Sequence, residues 1–395
     1  MSTTEAEFDV AIAGAGLVGL SLAVALAEAG LAVALVDRAP LEVADAPPAA
    51  EDWDSRIYAI SPGSAAFLRS LGAWQGLPAE RVGPVETMRV EGDDGAILRF
   101  SAHEQGERAL AWIVEERALR EALTIKLRAT RVAVHAPRSL ASIGSTAERA
   151  ELRFDDGGAL TARLIVGADG LRSWVRASAG IVAIPRPYGQ TAVVANFACE
   201  RAHHGQARQW FRDDGGILAW LPLPGRRVSI VWSAPDALAA ELRALTPDAL
   251  ARRVAAAGGD ALGAFACVTP AAAFPLQFLR LPVVVAHRLA LCGDAAHGVH
   301  PLAGQGVNLG FGDVEALAAI LRERGPVHDA GAPILLDRYA RRRAGPVRAM
   351  QTVTDTLAHL FGTRMPWARV ARNLGMSGLD RMPFAKRLLA EPALR

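Results

Sequence analysis

A glycine-rich turn near the beginning of the chain constrains the fold more than any other part of the sequence. The apolar segment Phe8–Ala13 runs into the turn GAGLVG at residues 14–19. A helix is expected over 17–29, and a second apolar run, 32–36, ends in Asp37. Strand, turn, helix, strand and terminal acid in this order predict the first βαβ unit of a dinucleotide-binding domain.

Each residue of this fingerprint has its own expected role. Gly14 permits the tight turn, Gly16 lets a pyrophosphate approach the backbone, and Gly19 lets the helix pack on the strand. Asp37 is placed for the ribose hydroxyl groups of an adenosine. These residues alone do not distinguish an NAD site from the ADP half of FAD.

Two further acids follow apolar strands later in the chain. The strand expected over 164–167 leads to Asp169 and Gly170, and the strand expected over 289–292 leads to Asp294. A carboxylate in such a place can accept hydrogen bonds from sugar-like hydroxyl groups. Two such acids and one fingerprint predict one long cofactor that lies across several strand ends.

The loop after Asp294 contains Pro301, Gly304 and Gly306 and enters a helix near Asn308. Unpaired backbone N–H groups at 306–308 could hold an anion or a ring carbonyl that becomes negative. The glycines would let the backbone approach a flat ring closely. An ordinary strand-loop-helix connection with turn glycines is the alternative interpretation.

The bulk properties exclude several classes of protein. With 395 residues the chain suits two lobes, and a net charge of +2 gives no sign of a nucleic-acid partner. Cys199, Cys267 and Cys292 form no CxxC pair, which indicates neither a disulfide framework nor a zinc site and fits a reducing cytoplasm. The uncharged run 10–27 follows acidic residues and contains the glycine turn, which argues against a signal peptide or a membrane span.

A helix is expected over 113–127, because Leu119, Leu123 and Leu127 recur at helical spacing. Arg117 near its start, or Arg120 one turn later, could face a pyrophosphate; a solvated face of the helix is the alternative for both. Further amphipathic helices are expected over 238–257 and 314–324, where packing alone explains the pattern.

The middle of the chain, 190–233, alternates apolar and polar residues and predicts an antiparallel sheet. Trp220 and Trp232 within it could line an apolar pocket for an aromatic substrate, or they could belong to the core of the sheet.

The C-terminal region, 338–395, is basic, with 12 Lys or Arg against 3 Asp or Glu. Its apolar residues could dock with this charge on an anionic membrane surface or a partner protein, or they could close the cofactor domain. These residues are Leu360, Phe361, Met365, Trp367, Met376 and Met382.

Three motifs in order carry a family resemblance. GAGLVG (14–19), GADG (167–170) and GDAAHGVHPLAGQGVNLG (293–310) resemble the signatures of single-component FAD-dependent aromatic hydroxylases with the para-hydroxybenzoate hydroxylase fold. DSRIYAISPGSAAFLRSLGAW (54–74), the GQGVNLG loop and the segment 360–389 are similar to the ubiquinone-biosynthesis hydroxylase family.

The resemblance implies an α/β fold. A Rossmann-like FAD-binding domain of the GR2, or para-hydroxybenzoate hydroxylase, type would carry an inserted antiparallel β-sheet substrate domain and C-terminal helices. The FAD-binding domain would comprise 1–75, 100–180 and 280–337, and the substrate domain 76–99 and 181–279. Residues 338–395 would form the basic helical region.

The resemblance also implies the residues that bind FAD, from the ADP half through the ribitol chain to the isoalloxazine. These are Gly14, Gly16, Leu17, Val18, Gly19, Asp37, Arg38, Arg56, Arg117, Leu140, Asp169, Gly170, Asp294, Pro301, Gly304, Gln305, Gly306, Val307 and Asn308. The chemistry would be centred on the flavin, so no catalytic side chain is assigned; Pro301 and His297 are candidates, with a structural role as the alternative for the histidine.

The implied activity is hydroxylation of the aromatic ring of a polyprenylated phenol or quinol intermediate in ubiquinone biosynthesis. FAD would be reduced by transiently bound NADPH or NADH and would react with O₂ to a C4a-hydroperoxide. A hydroxylase of a small soluble phenol and a non-catalytic flavin-binding assembly component remain alternatives. The expected location is the cytoplasm, with peripheral contact to the inner face of the membrane, and an oligomer is compatible with the sequence.

Overall fold

The computed structural model describes residues 7–44, 48–325 and 328–362, together with residues 373, 375, 376, 378 and 380. Within this part of the chain the strands form three sheets. The helices are α1 (Leu17–Glu28), α2 (Pro62–Ser70), α3 (Ala102–Gln105), α4 (Glu116–Arg128), α5 (Trp174–Ser178), α6 (Asp236–Ala244), α7 (Pro247–Ala257), α8 (Gly306–Arg322) and α9 (Pro333–Gly362).

The first sheet contains the glycine turn. Its strands are β1 (Phe8–Ala13), β2 (Val33–Val36), β8 (Ala133–His135), β9 (Leu140–Ser145), β10 (Ala150–Phe154), β11 (Ala159–Gly167), β18 (Val285–Ala286) and β19 (Leu289–Leu291). The order is β18-β19-β11-β1-β2-β8, with β1 parallel to both β2 and β11 and β11 parallel to β19. Parallel neighbours bring the carboxyl ends of β1, β11 and β19 to one edge, which explains why the glycine turn, Asp169 and Asp294 can face one ligand.

The second sheet forms the other lobe. Its strands are β5 (Thr87–Glu91), β6 (Ile97–Ser101), β12 (Arg186–Cys199), β13 (Gln206–Phe211), β14 (Ile217–Leu223), β15 (Arg227–Pro235), β16 (Phe265–Cys267), β17 (Ala272–Arg280) and β20 (His297–Gly298). The pairs β13–β14, β14–β15 and β15–β12 are antiparallel, as the alternation over 190–233 predicts. One face packs in a core with α6 and α7, and the opposite face is turned toward a cavity.

A small third sheet joins β3 (Ile57–Ile60), β7 (Ala111–Glu115) and β4 (Val82–Val85) in the order β3-β7-β4. The helix expected over 113–127 therefore begins later, at Glu116, because residues 111–115 pair as a strand with both neighbours. Leucine spacing inside a helix does not show where the preceding strand ends.

Two other helix predictions need correction. The helix expected over 238–257 is divided into α6 and α7, because Pro247 begins α7 and the Thr246 side chain caps it. The helix expected over 314–324 begins eight residues earlier, at Gly306.

Helix α9 is 30 residues long and contains Pro346. Its first half is attached to the first sheet, since Tyr339 donates a hydrogen bond to the Leu291 carbonyl of β19. Its second half packs with Phe361 against Phe211 of the second sheet. No helix in the described ranges combines the length and apolar character needed to cross a membrane.

Candidate active site

A cavity of about 2380 Å³ lies between the two lobes and joins every region that the sequence singled out. At one end it touches Gly14, Gly16 and Asp37, and near its middle Asp169 and Asp294. The other end lies under the second sheet and α9. The carboxyl ends of three parallel strands and the face of one antiparallel sheet therefore border a single space.

The glycine turn has the geometry that close packing requires. Gly14 has φ +105°, and a Cβ there would collide with the Ala168 carbonyl. A Cβ at Gly19 would collide with the Gly14 carbonyl, so helix α1 sits directly on the turn. A Cβ at Gly16 would meet no atom within 4 Å, because this residue opens onto the cavity. The absence of a side chain at Gly16 therefore leaves room for a ligand.

Asp37 lies at the end of β2 beside the turn. Its Oδ2 accepts a hydrogen bond from the Ala15 backbone N–H at 2.6 Å, and its Oδ1 accepts one from Ala39 at 2.8 Å. Arg38 and Leu140 also line this end of the cavity. The carboxylate is thereby held facing the place expected for a ribose.

Asp169 lines the cavity and also supports its own loop. Its carboxylate accepts hydrogen bonds from the Ser173 hydroxyl at 2.5 Å and from the Val175 backbone N–H at 3.0 Å. Arg176 of the same helix donates to the carbonyls of Leu171 and Ala295, which ties this loop to the one that follows Asp294.

Asp294 lies deep in the molecule, but its side chain is exposed to the cavity. Burial raises the pKa of this carboxyl, and the nearby charges of His297 and Arg56 oppose the rise. Water in the open cavity moderates the effect, and a ligand that fills the cavity would strengthen it.

The turn before Asp294 is held by a buried acid. Asp313 on α8 accepts hydrogen bonds from the Gly293 backbone N–H at 2.8 Å and from His297 Nε2 at 2.7 Å. Its second oxygen accepts one from Arg343 Nε of α9 at 2.6 Å. Burial alone would raise the pKa of Asp313, but His297 and Arg343 outweigh this and hold it below its usual value.

His297 is therefore not placed for contact with a substrate. It is 4% exposed, faces Asp313 and does not border the cavity. Burial disfavours its protonated form, yet the Asp313 carboxylate outweighs burial and raises the pKa of His297. The prediction of His297 as a catalytic candidate is wrong, and its structural alternative fits these contacts.

The loop 301–307 lines the cavity with Pro301, Gly304, Gln305, Gly306 and Val307. Gly304 has φ +63°, and a Cβ there would press on Ala59. A Cβ at Gly306 would meet nothing within 4 Å, so the start of α8 is open to the cavity like Gly16. Pro301 borders the cavity, and its candidacy as a catalytic residue stays a prediction.

Asn308, however, uses its side chain within the fold. Its Nδ2 donates to the carbonyls of Ala59 and Gly304, and its Oδ1 accepts from the Ser61 backbone N–H at 3.0 Å. The side chain thus joins α8 to the start of α2 and does not line the cavity. Only its backbone remains available for the predicted role.

The two arginines at the start of α4 face different ways. Arg117 pairs with Asp52 at 2.9 Å and lines a separate shallow depression beside Trp53. Arg120 lines the main cavity, as does Arg56, which lies over the rings of Tyr58 and Phe274. Arg117 therefore lies outside the main cavity, and the cofactor contact expected of it stays a prediction.

The two tryptophans expected in the pocket lie on the wrong face of the sheet for that role. Trp220 is 1% exposed and Trp232 is fully buried, and both pack in the core beneath α6 and α7. Their neighbours Ala219, Leu221 and Val231 line the cavity instead. The substrate-contact prediction for Trp220 and Trp232 is wrong because both faces of this sheet are apolar, and alternation alone does not tell which one meets the cavity.

The pocket wall includes residues that sequence reasoning assigned elsewhere or missed. Leu360, Phe361 and Met376 of the basic C-terminal region line the cavity, so they are not available for docking on a membrane. Met365, Trp367 and Met382 lie outside the described residues. On the sheet, the missed lining residues include Gln209 and Ser233. Alternation with a period of two places them on one face of the sheet, but it does not tell whether this face meets the cavity or the core.

The shape of the cavity and the polar groups along it fit FAD. Among the glycines that line the cavity, Gly16 and Gly306 have no atom within 4 Å of an added Cβ, and they provide open backbone where a pyrophosphate and a flat ring would lie. Asp37 and Asp294 point into the space between, where hydroxyl groups of ribose and ribitol would be bound. A long molecule with anionic, polyhydroxyl and planar parts matches this series of groups.

Comparison with known proteins agrees with this cofactor. The model of the family described as "FAD binding domain" matches residues 7–354. A ubiquinone hydroxylase, UbiL, of Rhodospirillum rubrum is 37% identical over 98% of this chain and 89% of its own length. The 3-demethoxyubiquinol 3-hydroxylase of Escherichia coli is 35% identical over 98% of both chains.

A solved structure is similar over most of the chain. The structure of PqsL from Pseudomonas aeruginosa in complex with 2-aminobenzoylacetate superposes with a TM-score of 0.76 and 26% identity, over 93% of this chain and 99% of that one. The expected fold, a Rossmann-like FAD-binding domain with an antiparallel substrate sheet, is confirmed.

Proposed function

The chain belongs to the FAD binding domain family of flavin-dependent aromatic hydroxylases, and on that premise we propose that it hydroxylates a polyprenylated phenol or quinol on the way to ubiquinone. FAD is its cofactor, O₂ its co-substrate, and NADH or NADPH the transient reductant. The functions after which the two relatives are named support the pathway, and the cavity supports the substrate class.

One observation carries the proposal: the cofactor groove continues without interruption into an apolar pocket. Beyond the loop 301–307 the walls come from β5, β6, β13 and β14, from the second half of α9, and from Met376 beyond this helix. They are largely aliphatic and aromatic, with Met88, Val90, Leu98, Phe100, Phe211, Ile217, Leu357, Leu360, Phe361 and Met376. Such walls favour a ring with a hydrocarbon substituent over a charged metabolite.

The residues of the chain would bind, orient and exclude water. FAD, when bound, supplies the activation of O₂ and the transfer of one oxygen atom to the ring. The backbone N–H groups at the start of α8, from Gly306, would stabilise negative charge on the reduced ring system. The apolar walls would keep water from the reacting centre.

Arg56, Arg120 and Arg172 border the cavity on the cofactor side and supply positive charge for the pyrophosphate. Asp37 and Asp294 would accept hydrogen bonds from ribose and ribitol hydroxyl groups. These roles extend the predicted cofactor contacts to the residues that border the cavity, with Arg120 in place of Arg117.

The experiment is reconstitution of the purified chain with FAD, followed by NADH or NADPH, O₂ and a phenol with a short isoprenoid chain. We expect oxidation of the reductant with formation of a product heavier by one oxygen atom, detected by mass spectrometry. Mass spectrometry of quinone lipids from cells with and without the gene would identify the ring position from the intermediate that accumulates.

The outcomes separate the alternatives. Hydroxylation of small phenols together with an unchanged quinone profile would indicate a soluble substrate. FAD binding without any hydroxylated product would indicate an assembly role. A chain that binds no FAD would overturn the proposal.

We also propose that the basic region 338–395 contributes contact with a membrane surface or a biosynthetic partner. Its described part supports this through charge alone, since Arg338, Arg341, Arg342 and Arg348 lie on α9. Vesicle co-sedimentation with anionic and neutral lipids tests the membrane contact, and equal binding to both would contradict that contact.

A further inference from the structure

The floor of the substrate pocket is the cavity face of the second sheet. Paired residues form rows across it: Phe211, Ile217, Ser233 and Ala192 form one row, and Gln209, Ala219, Val231 and Val194 form the next. All eight line the cavity. Two of them, Gln209 and Ser233, have polar side chains in an otherwise apolar floor.

These two side chains are buried but have no protein partner. Gln209 is 7% exposed and Ser233 is 3% exposed. Within the described ranges neither side chain makes a hydrogen bond, and neither has a fully enclosed unpaired atom. Their polar atoms therefore open onto the cavity, and a ring that fills the pocket must offer them hydrogen-bond partners in place of water.

Their placement is close to the expected flavin ring. Leu302 of the loop that borders the cofactor packs in one cluster with Phe211 and Ile217. Ile217 is the direct partner of Ser233, and Phe211 lies two residues after Gln209 on β13. A ring bound between the loop 301–307 and the floor would therefore lie against both polar groups.

Their separation suits a substituted ring. Gln209 and Ser233 are two strands and two residues apart, so their Cα atoms are about 12 Å from each other on a regular sheet. With the reach of a glutamine side chain, hydrogen bonds from both would meet oxygen atoms on opposite edges of one six-membered ring.

We propose that Gln209 and Ser233 are specificity-determining residues that bind the oxygen substituents of the substrate ring, with Gln209 accepting a hydrogen bond from the phenol hydroxyl. This rests on the proposed hydroxylase function. The apolar remainder of the floor holds the ring by contact, and these two groups fix which ring edge faces the flavin.

The test uses the FAD-loaded enzyme and two probes, 2-geranylphenol and its O-methyl ether, which cannot donate a hydrogen bond. Binding is followed through the absorbance change of the flavin. The wild type should bind the phenol more tightly than the ether. Gln209→Leu should weaken phenol binding about tenfold and leave the ether unchanged, because one buried hydrogen bond is lost. Gln209→Met, closer in volume, provides the same measurement if the leucine variant does not fold.

Matched controls lie on the same strands. Ser229→Ala changes a buried serine on the same face of β15 as Ser233, but Ser229 does not border the cavity. Gln206→Leu changes a glutamine of β13 that lies on the opposite face from Gln209. Neither control substitution should alter the preference for the phenol. Ser233→Ala, in contrast, should weaken the binding of a phenol that carries a second oxygen substituent on its ring.

The outcomes distinguish this inference from the function on which it rests. If the Gln209 variants retain the full preference for the phenol, or lose affinity for both probes equally, the assignment is overturned while hydroxylation stands. If the preference depends on Gln209 but the wild type forms no hydroxylated product, the binding role is supported and the proposed function fails.

Discussion

His297 Nε2 lies 2.7 Å from Asp313 Oδ2, and both side chains are buried. The same carboxylate binds the Gly293 backbone N–H and Arg343 of α9. One acid on α8 thus holds both the turn that presents Asp294 and the helix that continues into the pocket wall.

Asp313→Asn should destabilise the protein by about 3–5 kcal/mol, because it leaves the buried charges of His297 and Arg343 without their partner. The free energy of unfolding in urea measures this. Asp337→Asn, at an exposed position of α9, is the control and should change stability by less than about 0.5 kcal/mol. Equal effects of the two substitutions would contradict a central role for Asp313.

Two buried histidines should give stability a maximum near neutral pH. The raised pKa of His297 gives a contribution that is complete below about pH 6.5, the unfolded value, and is lost as pH rises through the folded pKa. Burial lowers the pKa of His300 to about 4, so its contribution is present above the unfolded value and is lost as pH falls toward 4.

His297→Asn should therefore flatten the alkaline side of the profile, and His300→Phe the acid side between about pH 6.5 and 4. Urea midpoints measured from pH 4 to 9 check both. A wild-type profile whose shape neither substitution changes would show that other groups control it.

Gly16→Val should weaken FAD binding at least about tenfold with little effect on folding, since the new side chain would project into empty cavity at a backbone conformation that any residue can adopt. Fluorescence titration of the apoprotein with FAD measures the affinity. Gly144→Val, in β9, has the same free space away from the cavity and should leave FAD binding unchanged.

Arg120→Ala should weaken FAD binding about tenfold, because it removes a cation that borders the cavity. Arg117→Ala should leave FAD binding intact and reduce stability by no more than about 1 kcal/mol, since its pair with Asp52 is exposed. The reverse pattern would support the predicted cofactor contact of Arg117 and contradict that of Arg120.

Trp220→Ala should cost about 3–5 kcal/mol of stability as a core truncation, with no specific change in KM. Leu360→Ala should raise the KM for an isoprenoid phenol and reduce stability less than Trp220→Ala does, because Leu360 lines the cavity. Thermal unfolding and steady-state kinetics on both variants decide whether the pocket lies on the assigned face of the sheet.

The sequence predicted those features that depend on local backbone geometry. The turn at Gly14, the packing contact at Gly19 and the acids at strand ends follow from short-range rules, and each lies where it was expected. Because β1, β11 and β19 are parallel neighbours, their carboxyl ends then lie at the same edge of the sheet.

Orientation across the fold could not be predicted in the same way. Trp220 and Ala219 are neighbours on one strand, and only the packing of α6 and α7 decides which one is core. Arg117 and Arg120 both lie in the first turns of α4, and which of them lines the cavity depends on the direction in which α4 leaves β7. The link from Asp313 to Arg343 spans 30 residues and leaves no local pattern.

Helix α9 serves both lobes: Arg343 supports the turn before Asp294, and beyond Pro346 the residues Leu357 and Phe361 line the cavity where we propose that the substrate binds. Exchange of this segment between family members would therefore transfer the shape of the pocket together with part of the support for the flavin. Such an exchange would keep its support only if the acid at position 313 of α8 and the arginine at position 343 of α9 were retained together.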